Sequence, residues 1–128
     1  MSGALLDTSI LIAAEIPESL LPSSAAISVV SLGELRAGGR LARDEGSREL
    51  RLARLRAVRS AFAPLPVDEE IAEAYGGLLA LARTERRTAK ATDLLIAATA
   101  AATGRTLHTL DRGQAGLARA AGIAAQSP

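Results

Sequence analysis

Asp7, Glu34, Asp93 and Asp111 each stand where a short apolar run ends or a helix begins. Carboxylates hold hard divalent cations, and an all-oxygen ligand set with open positions suits Mg²⁺ or Mn²⁺. Such an ion lowers the pKa of a bound water and stabilises both oxygens of an in-line displacement at phosphorus. Four carboxylates brought together repel, and their ionised forms are disfavoured until a cation compensates them. Thr8, Ser9 and Thr109 adjoin the acids and are candidates to orient them, or the water, from behind. Plainer uses compete for the same residues. Asp7 is a ready N-cap for a helix through Ile10 to Ala14. Glu34 completes an S-x-x-E capping box with Ser31.

The deciding question is which elements carry these acids. Gly3-Ala4-Leu5-Leu6-Asp7-Thr8-Ser9 reads as a buried strand that delivers an acid to the carboxyl edge of an α/β sheet. The helix after it ends near Pro17, and a loop follows through Pro22-Ser23-Ser24. Ala25 to Val30 forms a second strand, and Ser31 opens a helix to about Arg43. A third helix runs from Ser47 to about Ala61, with Leu52, Leu55, Val58 and Phe62 on one buried face. Arg48, Arg51, Arg54, Arg56 and Arg59 fill much of the rest, either as a solvated surface with i,i+4 pairing or as a phosphate-gripping face. Pro64 to Val67 is a brief strand. Asp68, Glu69 and Glu70 suit the dipole of the next helix, which reaches about Glu85 with Gly76-Gly77 as a break or close-packing point. Asp93 to Ala102 is helical, buried almost all round, and stopped by Gly104. Arg105 to Leu110 is the fourth strand, and a helix through Ala120 and a weak strand at Ile123 to Ala125 close the chain.

Strands alternating with helices favour a parallel α/β sheet in a single domain spanning residues 1–128. In such a sheet Asp7 and Asp111 both end strands at the carboxyl edge. Glu34 lies in the first turn after strand two, at the same edge. Asp93 opens the helix that feeds strand four, and that helix must start at the edge where strand four ends. All four acids are thus expected on one rim, where open α/β sheets bind ligands.

Composition narrows the alternatives. A chain of 128 residues is the size of one domain and needs no disulfide or structural metal to fold. The absence of cysteine excludes thiolate metal sites and thiol nucleophiles and fits a reducing compartment. There is no basic leader, and the longest apolar run, Leu94 to Ala98, is too short to span a bilayer, so a soluble cytoplasmic protein without membrane contact is expected. Lys90 is the sole lysine, and every other cation is arginine. One tyrosine, one phenylalanine and no tryptophan leave no platform for stacking bases, so any nucleic acid would be held mainly by its backbone. His108, the only histidine, cannot build a multi-histidine zinc site, and alternation points it away from Leu107 and Thr109. No G-x-S-x-G, Walker or G-x-G-x-x-G motif is present.

Leu5-Leu6-Asp7-Thr8-Ser9, Val30-Ser31-Leu32-Gly33-Glu34-Leu35, Asp93-Leu94-Leu95-Ile96-Ala97-Ala98 and Leu107-His108-Thr109-Leu110-Asp111 resemble the four motifs of PIN-domain ribonucleases. The size and layout look most like the VapC toxins of bacterial toxin–antitoxin pairs. The resemblance implies a three-layer α/β/α fold with a parallel sheet of order 3-2-1-4-5. It also implies metal-dependent RNA cleavage, a homodimer, and a cognate antitoxin occupying the acidic groove, often with a basic side chain. On this match Asp7, Glu34, Asp93 and Asp111 are the metal-binding acids, with Mg²⁺ or Mn²⁺ as cofactor. Two departures stand out. Leu110 replaces a residue that is often polar or basic. Gly113-Gln114 replaces acidic or aromatic positions, which leaves Gln114 as a possible ligand of a metal-bound water and supports one ion better than two. A catalytically silent PIN-fold binding module for RNA or a protein partner is the alternative. A third reading is a small α/β ligand-binding domain whose acids are all caps.

Overall fold

The computed structural model describes residues 3–13 and 24–127. Its elements are β1 (Ala4–Leu6), α1 (Thr8–Leu11), β2 (Ala25–Ser28), α2 (Val29–Arg40), α3 (Glu45–Ala61) and β3 (Pro64–Leu65), then α4 (Glu69–Thr84), α5 (Ala91–Thr103), β4 (Thr106–His108), α6 (Arg112–Ala120) and β5 (Ala125–Gln126). The five strands form one parallel sheet of order β3-β2-β1-β4-β5, as the resemblance implied.

Side chains alternate across a strand, so each short apolar run feeds two cores. Leu5, Ala26 and Leu107 point to one face, where they pack with Ile71, Leu94 and Leu117 from α4, α5 and α6. Ala4, Leu6, Ala25 and Ile27 point to the other, against Ile10, Leu35, Leu55, Val58 and Phe62 of α1 to α3 and its C-cap. Three layers result. Strands of two to four residues are held by this double burial, in which a fully buried leucine contributes about 1.5–3 kcal/mol.

Pairing sets the rim. Leu6 is in register with both Ile27 and His108, and His108 with Gln126, so the strands run out together. Asp7 and Thr109 are the next residues outward, and α2 starts beside them.

Several boundaries differ from the sequence reading, each for a local reason. Val29 and Val30 are helical because the Ser28 hydroxyl accepts from the Val30 amide at 3.0 Å and caps α2 three residues ahead of Ser31. Ser31 therefore lies inside the first turn, Glu34 falls in the second, and the expected capping box does not form. Helix α2 also stops at Arg40 rather than Arg43, and Asp44 caps α3 through the Ser47 amide at 2.8 Å, so α3 begins at Glu45. Helix α1 ends at Leu11 with Ile12 as its C-cap, so Ile12 and Ala13 do not continue it as expected; Ala14, Pro17, Pro22 and Ser23 lie outside the described residues.

The third strand holds only Pro64 and Leu65. Helix α4, capped by Asp68, runs unbroken through Gly76 and Gly77, and a Cβ added at either would meet nothing within 4 Å, so neither is a break nor a close-packing point. Helix α5 begins at Ala91 and ends at Gly104 with φ +65°, as a helix-ending glycine should. The fourth strand stops at His108 because the Leu110 amide turns to the Ser9 hydroxyl at 2.9 Å instead of continuing the ladder. The last strand is displaced to Ala125–Gln126, since the Ile123 amide closes α6 on Ala118. Among the described residues no helix is long and apolar enough to cross a membrane.

Candidate active site

Asp7 leaves the central strand and is buried, with 4 % of its surface exposed. Its carboxylate oxygens have different fates. Oδ2 accepts from the Ser9 amide at 3.2 Å, the Ser9 hydroxyl at 2.6 Å and the Thr109 hydroxyl at 2.9 Å. Behind these hydroxyls stand backbone amides: Leu110 N–H donates to Ser9 Oγ at 2.9 Å and Asp111 N–H to Thr109 Oγ1 at 3.0 Å. Two short relays thus carry positive dipole from the β4–α6 turn onto one oxygen. The other oxygen, Oδ1, is buried and has no hydrogen-bond partner. A buried, unsatisfied carboxylate oxygen costs about 1–3 kcal/mol or more, and its persistence calls for a missing partner. Asp7 does cap α1, as the plain reading held, but with Oδ2 only.

Glu34 is held by a third relay. Thr8 Oγ1 donates to Glu34 Oε1 at 2.5 Å, which spends its one proton, so Ser31 Oγ must donate to Thr8 across their 2.9 Å contact. Ser31 and Glu34 are one turn apart on α2 and face α1 together. Ser31, read from sequence as a cap, is thus part of the acid's support, and only the helix register reveals it.

Asp93 lies in the first turn of α5, where the helix dipole favours a negative charge. Asp111 caps α6, accepting from the amides of Gly113 at 2.9 Å and Gln114 at 3.1 Å through Oδ1. Gln114 is buried and ties the two helices together. Its Oε1 lies 3.2 Å from the Thr109 hydroxyl, and its Nε2 donates to the Asp93 carbonyl at 3.2 Å. One N–H of its amide is thus engaged inside the protein.

The acids feel one another. Burial first, then the charges of Asp7, Glu34 and Asp111, push the Asp93 carboxyl up to about 6, and only Lys90 opposes them. One rim therefore does gather the four residues. Yet among the described residues no three acidic or histidine groups converge tightly enough to enclose a metal ion as they stand. The reason is visible: Thr8 draws Glu34 aside and Asp111 turns back onto its own helix. His108 pairs in register with Leu6, half-buried, and its imidazole pKa is lowered by desolvation; it takes no part in these bonds.

A cavity lies on each side of the rim. One, of about 290 Å³, is bordered by Asp93, Asp111, Leu94, Leu117 and Arg87. The other, of about 530 Å³, is bordered by Thr8, Glu34, Ile12, Leu50, Arg51 and Arg54. The α3 arginines do not form the expected i,i+4 pairs. Arg51 donates to the Gly38 carbonyl at 2.7 Å, Arg54 to the Leu11 carbonyl at 2.9 Å, and Arg48 lies 3.6 Å from Glu45 at i,i+3.

A parallel sheet of this order, with acids just after β1, in α2 and α5, and at the cap of α6 gathered at its carboxyl edge, defines a recognised class. The model of the PIN domain matches residues 4–121, and the chain belongs to the PIN domain family. Within it the chain is similar to proteins named VapC. It is 38 % identical over 127 residues to ribonuclease VapC5 of Mycobacterium tuberculosis, covering 95 % of this chain and 93 % of that one. It is 41 % identical over 100 residues to ribonuclease VapC8 of the same species, covering 75 % and 88 %. Among solved structures, a chain of the toxin–antitoxin complex VapBC-5 from Mycobacterium tuberculosis superposes with a TM-score of 0.86 at 34 % identity, covering all of both chains. A chain of FitAcB from Neisseria gonorrhoeae gives 0.78 at 29 % identity, covering 98 % and 97 %.

Proposed function

We propose that this chain is a Mg²⁺- or Mn²⁺-dependent endoribonuclease and the toxin of a toxin–antitoxin pair. The observation that carries the reading is the buried, unpartnered Oδ1 of Asp7 set among three further carboxylates. Oxygen donors are the right chemistry for either ion. Asp7 and Asp93 would hold it, with Glu34 and Asp111 turning from Thr8 and the α6 amides to complete the set. When bound, the ion supplies a water of lowered pKa and neutralises charge at the scissile phosphate. The chain's own residues do the rest. Ser9 and Thr109 clamp Oδ2 of Asp7 and so fix the direction of Oδ1, while Gln114 locks α5 and α6 at the distance that sets Asp93 against Asp7. Thr8 holds Glu34 in reserve.

The ribonuclease names of the relatives and the toxin–antitoxin complexes among the structural neighbours support RNA as substrate and a small antitoxin protein as partner. A homodimer acting in the cytoplasm belongs to the same proposal. The test is cleavage of labelled single-stranded RNA with Mn²⁺ and with EDTA, by the wild type and by Asp7→Asn. Cleavage that needs the ion and is lost in the variant is the expected result. Undiminished cleavage by Asp7→Asn and Asp93→Asn alike would remove these acids from the mechanism.

A further inference from the structure

The 290 Å³ cavity beside the rim has two unlike ends. Asp93 and Asp111 border one side, Leu94, Ala97 and Leu117 supply an apolar floor, and Arg87 and Thr88 close the other side from the turn between α4 and α5. Resting on the ribonuclease reading, we infer that this cavity seats one nucleotide of the RNA next to the scissile bond, with its base on the aliphatic floor and its phosphate on Arg87. A volume of about 290 Å³ is at the small end of ligand sites and suits a single nucleotide. The chain has no tryptophan and one each of tyrosine and phenylalanine, so a base near this site has aliphatic surface to rest on rather than a stacking ring.

Arg87 is built for the task. Its amide donates to the Ala82 carbonyl at 2.7 Å, and Arg86 before it takes a left-handed φ of +53°, a conformation uncommon outside glycine, which turns the chain back over the cavity. Glu85 receives Nε at 2.7 Å, and no hydrogen bond among the described residues engages the terminal nitrogens. Nη1 lies 3.9 Å from the position a Cβ on Gly116 would take, so the guanidinium reaches across to α6. Both partners of the Glu85 pair are 40 % exposed, and such a pair holds the side chain in place at little net energy. A guanidinium oriented beforehand binds phosphate bidentately with less lost freedom.

The test uses the full chain in EDTA, so that binding is read without cleavage. Adenosine 5′-monophosphate, adenosine and inorganic phosphate are titrated separately while the backbone amides of Gly113 and Gly116 are followed by NMR. The mononucleotide should shift both glycines and bind more tightly than either fragment. Arg87→Ala should weaken it about tenfold, the size of one charged hydrogen-bonded contact, and Arg87→Lys should restore part of the loss. For single-stranded RNA, Arg87→Ala should lower the slope of log K against log salt by about 0.7, one phosphate's worth. A mononucleotide that leaves both glycines unmoved, inorganic phosphate that binds equally well, or a wild-type salt slope in Arg87→Ala overturns the assignment even if RNA is cut with Mn²⁺. Mononucleotide binding that depends on Arg87 in a chain that does not cut RNA upholds the seat and strikes the nuclease reading instead.

Discussion

The Asp93 carboxyl titrates near 6 in the folded chain against 3.8 for an ordinary aspartate, through burial and the charges of Asp7, Glu34 and Asp111. The folded state therefore holds this proton more tightly than the unfolded chain. The carboxyl favours folding in full below about pH 3.8, and that contribution is lost as pH rises through 6. At neutral pH without a cation the charge works against the fold. The whole shift corresponds to about 3 kcal/mol, and solvent screening at a half-buried group reduces it to about 1–2 kcal/mol. Asp93→Asn keeps the shape and removes the charge. In EDTA at pH 7.5 the variant should be more stable than the wild type by that amount, or about 4–8 °C in Tm. The gap should shrink by more than half at pH 4.5, where the wild-type carboxyl is protonated. Urea unfolding followed by far-ultraviolet circular dichroism measures it, and the difference between the two proteins cancels the titrating groups that do not interact with Asp93. A variant no more stable than the wild type at pH 7.5, or a gap that stays constant with pH, would refute the claim that these acids repel one another across the rim.

Other outcomes follow from the same structure. Mn²⁺ at a hundredfold excess over its Kd should stabilise the wild type by about 2.7 kcal/mol, and EDTA should reverse this; a melting temperature indifferent to the ion would speak against a cation site. Thr109→Val strips a donor from Asp7 and a partner from the Asp111 amide, and should cost about 2–3 kcal/mol in denaturant unfolding. Gly76→Ala and Gly77→Ala fill open space in the middle of α4, so each should raise stability by about 0.5–1 kcal/mol. Gly104→Ala, at φ +65°, should lower it by about 1 kcal/mol.

The rim was legible in the sequence because direction is conserved in a parallel sheet: an acid that ends one strand must share an edge with an acid that ends another. Thus Asp7 and Asp111 could be placed together from the positions of Leu6 and Leu110 alone. The order of strands β2, β1 and β4 came from the resemblance, since nothing in a three-residue strand says which neighbour it chooses. What could not be read was the choice between competing hydrogen bonds. Ser28 and Ser31 are both competent caps, and the earlier one takes the helix start, which changes Glu34 from a first-turn capping residue into a partner of Thr8. Gln114 is chemically able to serve water or protein, and its N–H bond to the Asp93 carbonyl follows from the closeness of α5 to α6, which the sequence does not state.

The hydroxyl of Thr109 reaching Asp7 has a temporal consequence. Two residues far apart in the sequence must meet before that contact exists, because β1 lies between β2 and β4. A growing polypeptide on the ribosome thus carries Asp7 with half its cradle missing until Thr109 has followed it out. The order of synthesis itself delays completion of the rim.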